Sequence, residues 1–288
     1  MAHSSKHAES QPETSNRSPS GKDQGTLIII GGHEDKEGRR DILKEVAQHV
    51  QGRGLIIATV ASHKPEGYFE SYQQGFDGLE VGELTELYVN ERPEASDQDR
   101  LKVFENAGGI FFSGGDQLRI TSQIGATPLE ARIQQLFQAG GVVAGTSAGA
   151  SVMCETMLIK GSSEESYRVG DLQMGPGLGL IRGVIIDQHF AERGRIGRLL
   201  GAVAQNPRVL GIGIDEDTAI VVNDRHFKVI GSGAVYVADG AEISFSNSSE
   251  ARTNEALSLH DVRLHVLSAG EEFDLETRRP SASHLKKA

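Results

Sequence analysis

Apolar residues run unbroken from Leu27 to Ile30 and stop at Gly31 and Gly32. A short run of that kind predicts a strand buried on both faces. Beyond it Ile42, Leu43, Val46 and Val50 recur at helical spacing, and Leu55 to Ala61 forms a second apolar run, so the chain reads strand, helix, strand. The cycle continues with a polar helical stretch at Tyr68 to Phe76, an expected strand near Leu84 to Val89 and a helix that Ser96 would cap. An expected strand from Gly109 to Ser113, a helix from Leu129 to Phe137 and a strand from Gly141 to Ala144 follow. This rhythm predicts an α/β fold with a doubly wound, mainly parallel sheet covered on both faces. After about Asp215 the segments Ala219 to Val222, Phe227 to Ile230 and Ala234 to Ala238 alternate between turn residues, which predicts C-terminal antiparallel hairpins.

The 288 residues suit one large domain, since single cores stop growing near ~250 to 300 residues. No linker or repeat divides the chain. We expect a disordered tail over 1–25, a single catalytic α/β domain over 26–272 and a loose tail over 273–288. One cysteine leaves no internal disulfide and argues for a reducing compartment. With 29 basic against 40 acidic residues and no dense Lys/Arg block, the chain lacks the positive face of a general nucleic-acid binder. No window approaches the ~18 consecutive apolar residues of a membrane span, and the first 25 residues hold no apolar stretch of the secretory type. The expectation is a cytoplasmic protein with neither nucleic acid nor membrane as partner.

The candidate chemistry begins at Gly145–Thr146–Ser147–Ala148–Gly149, a G-x-S-x-G sequence between an expected strand and an expected helix. A nucleophile elbow needs small residues two places either side of the serine because the turn is strained and tightly packed. Ser147 would then project above the sheet, and the Ala148 amide could donate to an oxyanion. The competing reading is a glycine turn with an incidental serine. The turn Gly114–Gly115–Asp116–Gln117 ends the preceding strand, where it could supply a second amide from Gly114 or Gly115 and a polar contact from Gln117, or be a tight turn capped by Asp116.

Among ten histidines, His189 stands apart because it ends the apolar run Val184 to Asp187 on the expected catalytic edge. It reads as a base for Ser147 or as a hydrogen-bonded structural histidine. His33 could line the crevice, but no second ligand cluster makes a metal site of it. Arg193, Arg195 and Arg198 open a helix whose Ile196, Leu199, Leu200 and Val203 form the buried stripe. Guanidiniums beside a base point to carboxylate recognition. Cations are disfavoured at a helix start, so an anion should compensate them. Cys154 reads as a buried small hydrophobe. Asp215, Glu216 and Asp217 read either as a capped turn or as part of the crevice wall.

Together these segments resemble the cyanophycinases, relatives of the aspartyl dipeptidases within the class I glutamine-amidotransferase-like fold. The resemblance runs from about Leu27 to Leu267. It is carried by GGHEDK at 31–36, GGDQLR at 114–119, GTSAGA at 145–150, DQHF at 187–190, RGRIGRLL at 193–200, GIDEDTA at 213–219 and LSLHDVRLHVL at 257–267. It implies Ser147 as nucleophile, His189 as base and Glu165, with Glu164 adjacent, as the orienting acid. Gly115 and Ala148 are the expected oxyanion hole, and the resemblance implies Gln117, Asp187, Gln188, Arg193, Arg195 and Arg198 as the substrate pocket. The implied reaction is serine-type hydrolysis of cyanophycin, a polyaspartate carrying arginine on each β-carboxyl, to β-Asp-Arg dipeptides. No metal or organic cofactor and a homodimer are expected with it. An aspartyl dipeptidase-like enzyme for small acidic peptides, or a non-catalytic binding protein on the same fold, would be the alternatives.

Overall fold

The apolar run Leu27–Ile30 becomes strand β1, wholly buried near the middle of a nine-stranded sheet. The computed structural model describes residues 24–161 and 168–281. After β1 come α1 (Asp41–Val50), β2 (Gly54–Ala58), α2 (Tyr68–Phe76), β3 (Leu84–Leu87), α3 (Gln98–Lys102), β4 (Ala107–Phe112), α4 (Gln117–Ile124), α5 (Pro128–Gln138), β5 (Val142–Thr146) and α6 (Ala148–Ser151). The chain continues through β6 (Thr156–Lys160), β7 (Gln173–Pro176), β8 (Val184–Gln188), α7 (Ile196–Gln205), β9 (Leu210–Ile214), β10 (Thr218–Asn223), β11 (His226–Gly231) and β12 (Val235–Asp239). Five short strands close it: β13 (Phe245–Ser246), β14 (Leu259–His260), β15 (Arg263–Leu267), β16 (Glu272–Asp274) and β17 (Arg279–Pro280).

The large sheet has the order β17-β16-β11-β10-β1-β5-β4-β2-β3. Its half from β1 to β3 is parallel and the rest antiparallel. Alternate residues of one strand face opposite sides. Thus Ile28 and Ile30 pack with α1 and with Tyr72 and Phe76 of α2, while Leu27 and Ile29 belong to the core that holds α5, α6 and β8. Two cores, one per face, are what a doubly wound sheet buries. The doubly wound α/β architecture therefore holds, parallel from β1 to β3 and antiparallel toward the C-terminal strands.

Four details depart from the sequence expectations. The apolar run ending at Asp187 does not extend the main sheet; as β8 it pairs in parallel with β9 within a second sheet of order β15-β12-β9-β8. The segment around Ala234 to Ala238 does not hairpin with β11 but pairs with β9, after the chain turns away at Gly231 with φ 104°. Turn chemistry marks where a strand ends; it does not choose the partner. The expected loose C-terminal tail contributes β16 and β17, with Phe273 fully buried and stacked on Phe227 at 5.4 Å. Asp97, not Ser96, precedes α3, and Asp116 caps α4 by accepting from the amides of Leu118 and Arg119. Residues 1–23 of the expected N-terminal tail, and 282–288, lie outside the described residues.

Candidate active site

Ser147 leaves the end of β5 at φ 54°, ψ −111°, a conformation a side chain rarely adopts. Its neighbours explain how the turn closes. A Cβ on Gly145 would lie 2.5 Å from the Gly149 carbonyl oxygen, and one on Gly149 would lie 2.4 Å from the Phe112 carbonyl oxygen. The Ser147 amide donates to the carbonyl of Ile30 on β1, which ties the strained residue to the centre of the sheet. The elbow reading of G-x-S-x-G thus rests on contacts, and Ser147 opens into a cleft of about 500 Å³ at the carboxyl ends of the parallel strands. A cavity of similar size around Arg53 and Asn106 lies at the opposite, amino edge of β2 and β4, away from this chemistry.

His189 reaches Ser147 from the second sheet. It follows β8 at φ 47°, and its amide donates to the Gly31 carbonyl at the end of β1. Gly32 makes room for the imidazole, since a Cβ there would sit 2.3 Å from the ring. His189 Nδ1 lies 2.6 Å from Glu216 Oε1, and its Nε2 lies 2.9 Å from Ser147 Oγ. A carboxylate can only accept, so Nδ1 carries the proton and Nε2 is free to accept from the serine hydroxyl. Burial holds His189 below the ordinary value of 6.5; the Glu216 hydrogen bond opposes that shift, and the charge of Arg193 adds to it. The imidazole is neutral at neutral pH, as a base must be.

The carboxylate at His189 is therefore Glu216, on the turn where the chain crosses from β9 in the second sheet to β10 in the first. The acid expected at Glu165, with Glu164 beside it, lies outside the described residues. The acidic trio Asp215–Glu216–Asp217 forms a hydrogen-bonded turn behind His189. Asp215 accepts from the amides of Ala191 and Ala234, and Asp217 accepts from the amide of Asp35, so its two outer members knit three loops together while Glu216 faces the histidine. His33 joins the group with Nδ1 3.3 Å from Glu216 Oε2 and its ring edge-on to His189. The donor atoms of His33, His189 and Glu216 all lie within 4.8 Å of one another, a grouping that residue spacing alone had not revealed.

Gly114 and Gly115 line the cleft beside Ser147, and Ala148 is the first residue of α6 directly after it. Cys154 is wholly buried, and burial pushes its thiol up to about 12, which removes it as a nucleophile.

The three arginines do not share one role. Arg195 and Arg198 are 6% and 7% exposed, and the anion that compensates them is Asp187, 0% exposed. Asp187 Oδ1 accepts from Arg195 Nη1 at 3.1 Å and from Arg198 Nη2, while Oδ2 accepts from Arg198 Nε at 2.8 Å. Sealed in this way, Asp187 is not open to a substrate guanidinium, and its function is to hold the two arginines. Gln188 is likewise engaged, accepting from Arg195 Nη1 and donating to Ser151. Gln117 donates from Nε2 to the carbonyls of Leu158 and Ile159, which leaves its Oε1 as the acceptor it can offer a ligand. Burial draws the Arg195 guanidinium from 12.5 to about 10, still charged at neutral pH. Its Nε is buried with no partner among the described residues, an uncommon and costly state. Arg193 is exposed at the mouth of the same cleft.

The pattern of Peptidase family S51 matches residues 27–230. The cyanophycinase of Geminocystis herdmanii (strain PCC 6308) is 39% identical over 263 residues, covering 90% of this chain and 97% of that protein. The cyanophycinase of Thermosynechococcus vestitus (strain NIES-2133 / IAM M-273 / BP-1) is 36% identical over 260 residues, covering 89% of this chain and 81% of its own. The crystal structure of a peptidase from an acI-B1 Actinobacterium superposes with a TM-score of 0.63 at 23% identity, over 88% of this chain and 98% of that one, which supports the fold. No helix among the described residues is long and apolar enough to cross a membrane. With a strained serine, a neutral histidine and a carboxylate in line at the carboxyl edge of an α/β sheet, and with a family match over most of its length, the chain belongs to Peptidase family S51 and is a serine-type peptidase.

Proposed function

We propose that the chain hydrolyses the polyaspartate backbone of cyanophycin and releases β-Asp-Arg dipeptides. One observation carries this reading: the Ser147–His189–Glu216 array opens into a cleft walled by buried, pre-oriented arginines, one of whose Nε atoms has no partner among the described residues. Its relatives of 36–39% identity, which bear the name cyanophycinase, support it. Arg195 and Arg198, fixed by Asp187, would meet the α-carboxylates of the substrate arginines with bidentate contacts, joined by Arg193 at the mouth. Gln117 would offer its carbonyl to a guanidinium.

In the reaction His189 Nε2 takes the proton of Ser147 Oγ as the hydroxyl attacks an aspartyl backbone carbonyl. Glu216 keeps the imidazole in the required tautomer and stabilises its charged form. The amides of Gly115 and Ala148 are the donors assigned to the oxyanion. When the tetrahedral centre collapses, the C–N bond breaks, the leaving amine receives the proton from His189, and an ester to Ser147 remains. Water, deprotonated by His189, attacks that ester, and Ser147 regains its proton.

Incubation with insoluble cyanophycin, and identification of the soluble products by mass, tests the reading. β-Asp-Arg is expected, with plain polyaspartate slower by roughly 10⁴ or more, because groups built to pair with the missing side chain would stay unpaired. Equal rates on both polymers would favour a general peptidase for acidic peptides. A cytoplasmic homodimer completes the proposal, and light scattering on the purified chain checks the dimer.

A further inference from the structure

The cleft has a second wall. α2 packs on the face of the sheet that buries Ile28 and Ile30, whereas β8, which leads to the arginines, packs on the other face. Ser147, at the sheet edge, lies between the two. On the α2 side the cleft is lined by Lys36, Tyr68 and Tyr72. Lys36 is held in place rather than left loose: its Nζ stands 3.6 Å from Glu34 Oε1 and 4.3 Å from the centre of the Tyr72 ring. Glu34 is itself buried and fixed, accepting from Tyr72 Oη at 2.8 Å and from Thr146 Oγ1 at 2.6 Å, the residue before the serine. Burial and the neighbouring Glu34 push the Tyr72 phenol well above 10, so it stays a neutral donor. The Lys36 side chain keeps 31% of its surface exposed, enough to meet a ligand.

We infer that Lys36 forms a second carboxylate-binding subsite on the wall opposite the arginines, so that the enzyme reads an anionic group on each side of the bond it cuts. The inference rests on cyanophycin as substrate for the identity of those groups, the carboxylates of successive arginyl side chains. A cation fixed by a buried acid and an aromatic face loses less side-chain freedom when it binds than a free lysine does. The competing role, a counter-ion that only balances Glu34, predicts a loss independent of the substrate's charge.

The test compares wild type, Lys36→Met and Lys36→Arg on cyanophycin and on cyanophycin whose arginine carboxylates are amidated. Lys36→Met should raise KM on the native polymer roughly tenfold, with a smaller change in kcat. On the amidated polymer it should differ from wild type by no more than about twofold, and Lys36→Arg should recover most of the loss. An equal loss on both polymers overturns the inference and leaves Lys36 as the counter-ion of Glu34. A second measurement stands apart from cyanophycin: protection of Ser147 from a neutral fluorophosphonate by N-acetyl-aspartate, read against each variant's own unprotected rate. Protection should need roughly tenfold more N-acetyl-aspartate in Lys36→Met, and unchanged protection overturns the subsite. If wild type leaves cyanophycin uncut, the substrate reading falls and the protection experiment alone decides the role of Lys36.

Discussion

The turn around Ser147 and the cluster around Asp187 stand at one cleft and are held by different forces. At Gly145–Gly149 short-range repulsion dominates: added Cβ atoms would run into the backbone of Gly149 and Phe112, and the amide of Ser147 anchors on β1. Around Asp187 the forces are electrostatic, with one buried carboxylate holding two buried guanidiniums. In the first region one side chain can be changed without disturbing what shapes the turn. In the second the aspartate cannot be changed alone, because its removal strands two guanidiniums away from water. Losing the serine should cost chemistry and leave stability intact, while losing the aspartate should cost stability and binding together.

The widest separation is expected from Ser147→Ala, which should lower kcat by roughly 10⁵ to 10⁶ with an unchanged thermal melt. Turnover within tenfold of wild type, measured on purified enzyme, would end the role of Ser147. Glu216→Gln comes next. It keeps the shape of the site but no longer enforces the tautomer of His189, so kcat should fall by about 10⁴. Glu165→Gln and Glu164→Gln should cost far less, and the reverse ranking would return the orienting acid to the segment between residues 162 and 167.

Asp187→Asn tests the other half of the contrast. With Arg195 and Arg198 left without their anion, unfolding in urea should show a loss of roughly 3–5 kcal/mol, and KM should rise. A loss below about 1 kcal/mol would mean that the arginines find other partners readily. The smallest effect is on pH dependence. Burial lowers the pKa of His189, and activity needs the neutral ring, so kcat/KM should fall only as pH drops below the ordinary histidine value of 6.5. Arg193→Gln removes a charge that holds this value down, and should therefore move the acid limb to higher pH. A shift the other way would show that Arg193 does not act on the imidazole through its charge.

What the amino-acid order determined by itself is local. The buried runs Leu27–Ile30 and Val142–Thr146 read as strands because every residue is apolar or small, and the glycines of G-x-S-x-G mark the elbow because their neighbours leave no room for a side chain. His189 was legible because it ends an apolar run on the edge where parallel strands finish. Nothing in the chain order ties Glu216 to it, although the acidic trio reads as a turn or as crevice wall. Its place beside His189 depends on β8 and β9 forming a second sheet, so that the turn back to β10 passes the imidazole. The role of Asp187 is hidden for a related reason: an acid next to a glutamine and a histidine looks available in one dimension, and only burial between Arg195 and Arg198 closes it. Strand periodicity and turn strain act over a few residues and are written in the order of the chain. Sheet partnership and the pairing of buried charges are settled between residues far apart in that order, by which surfaces meet when the two sheets close over Ser147.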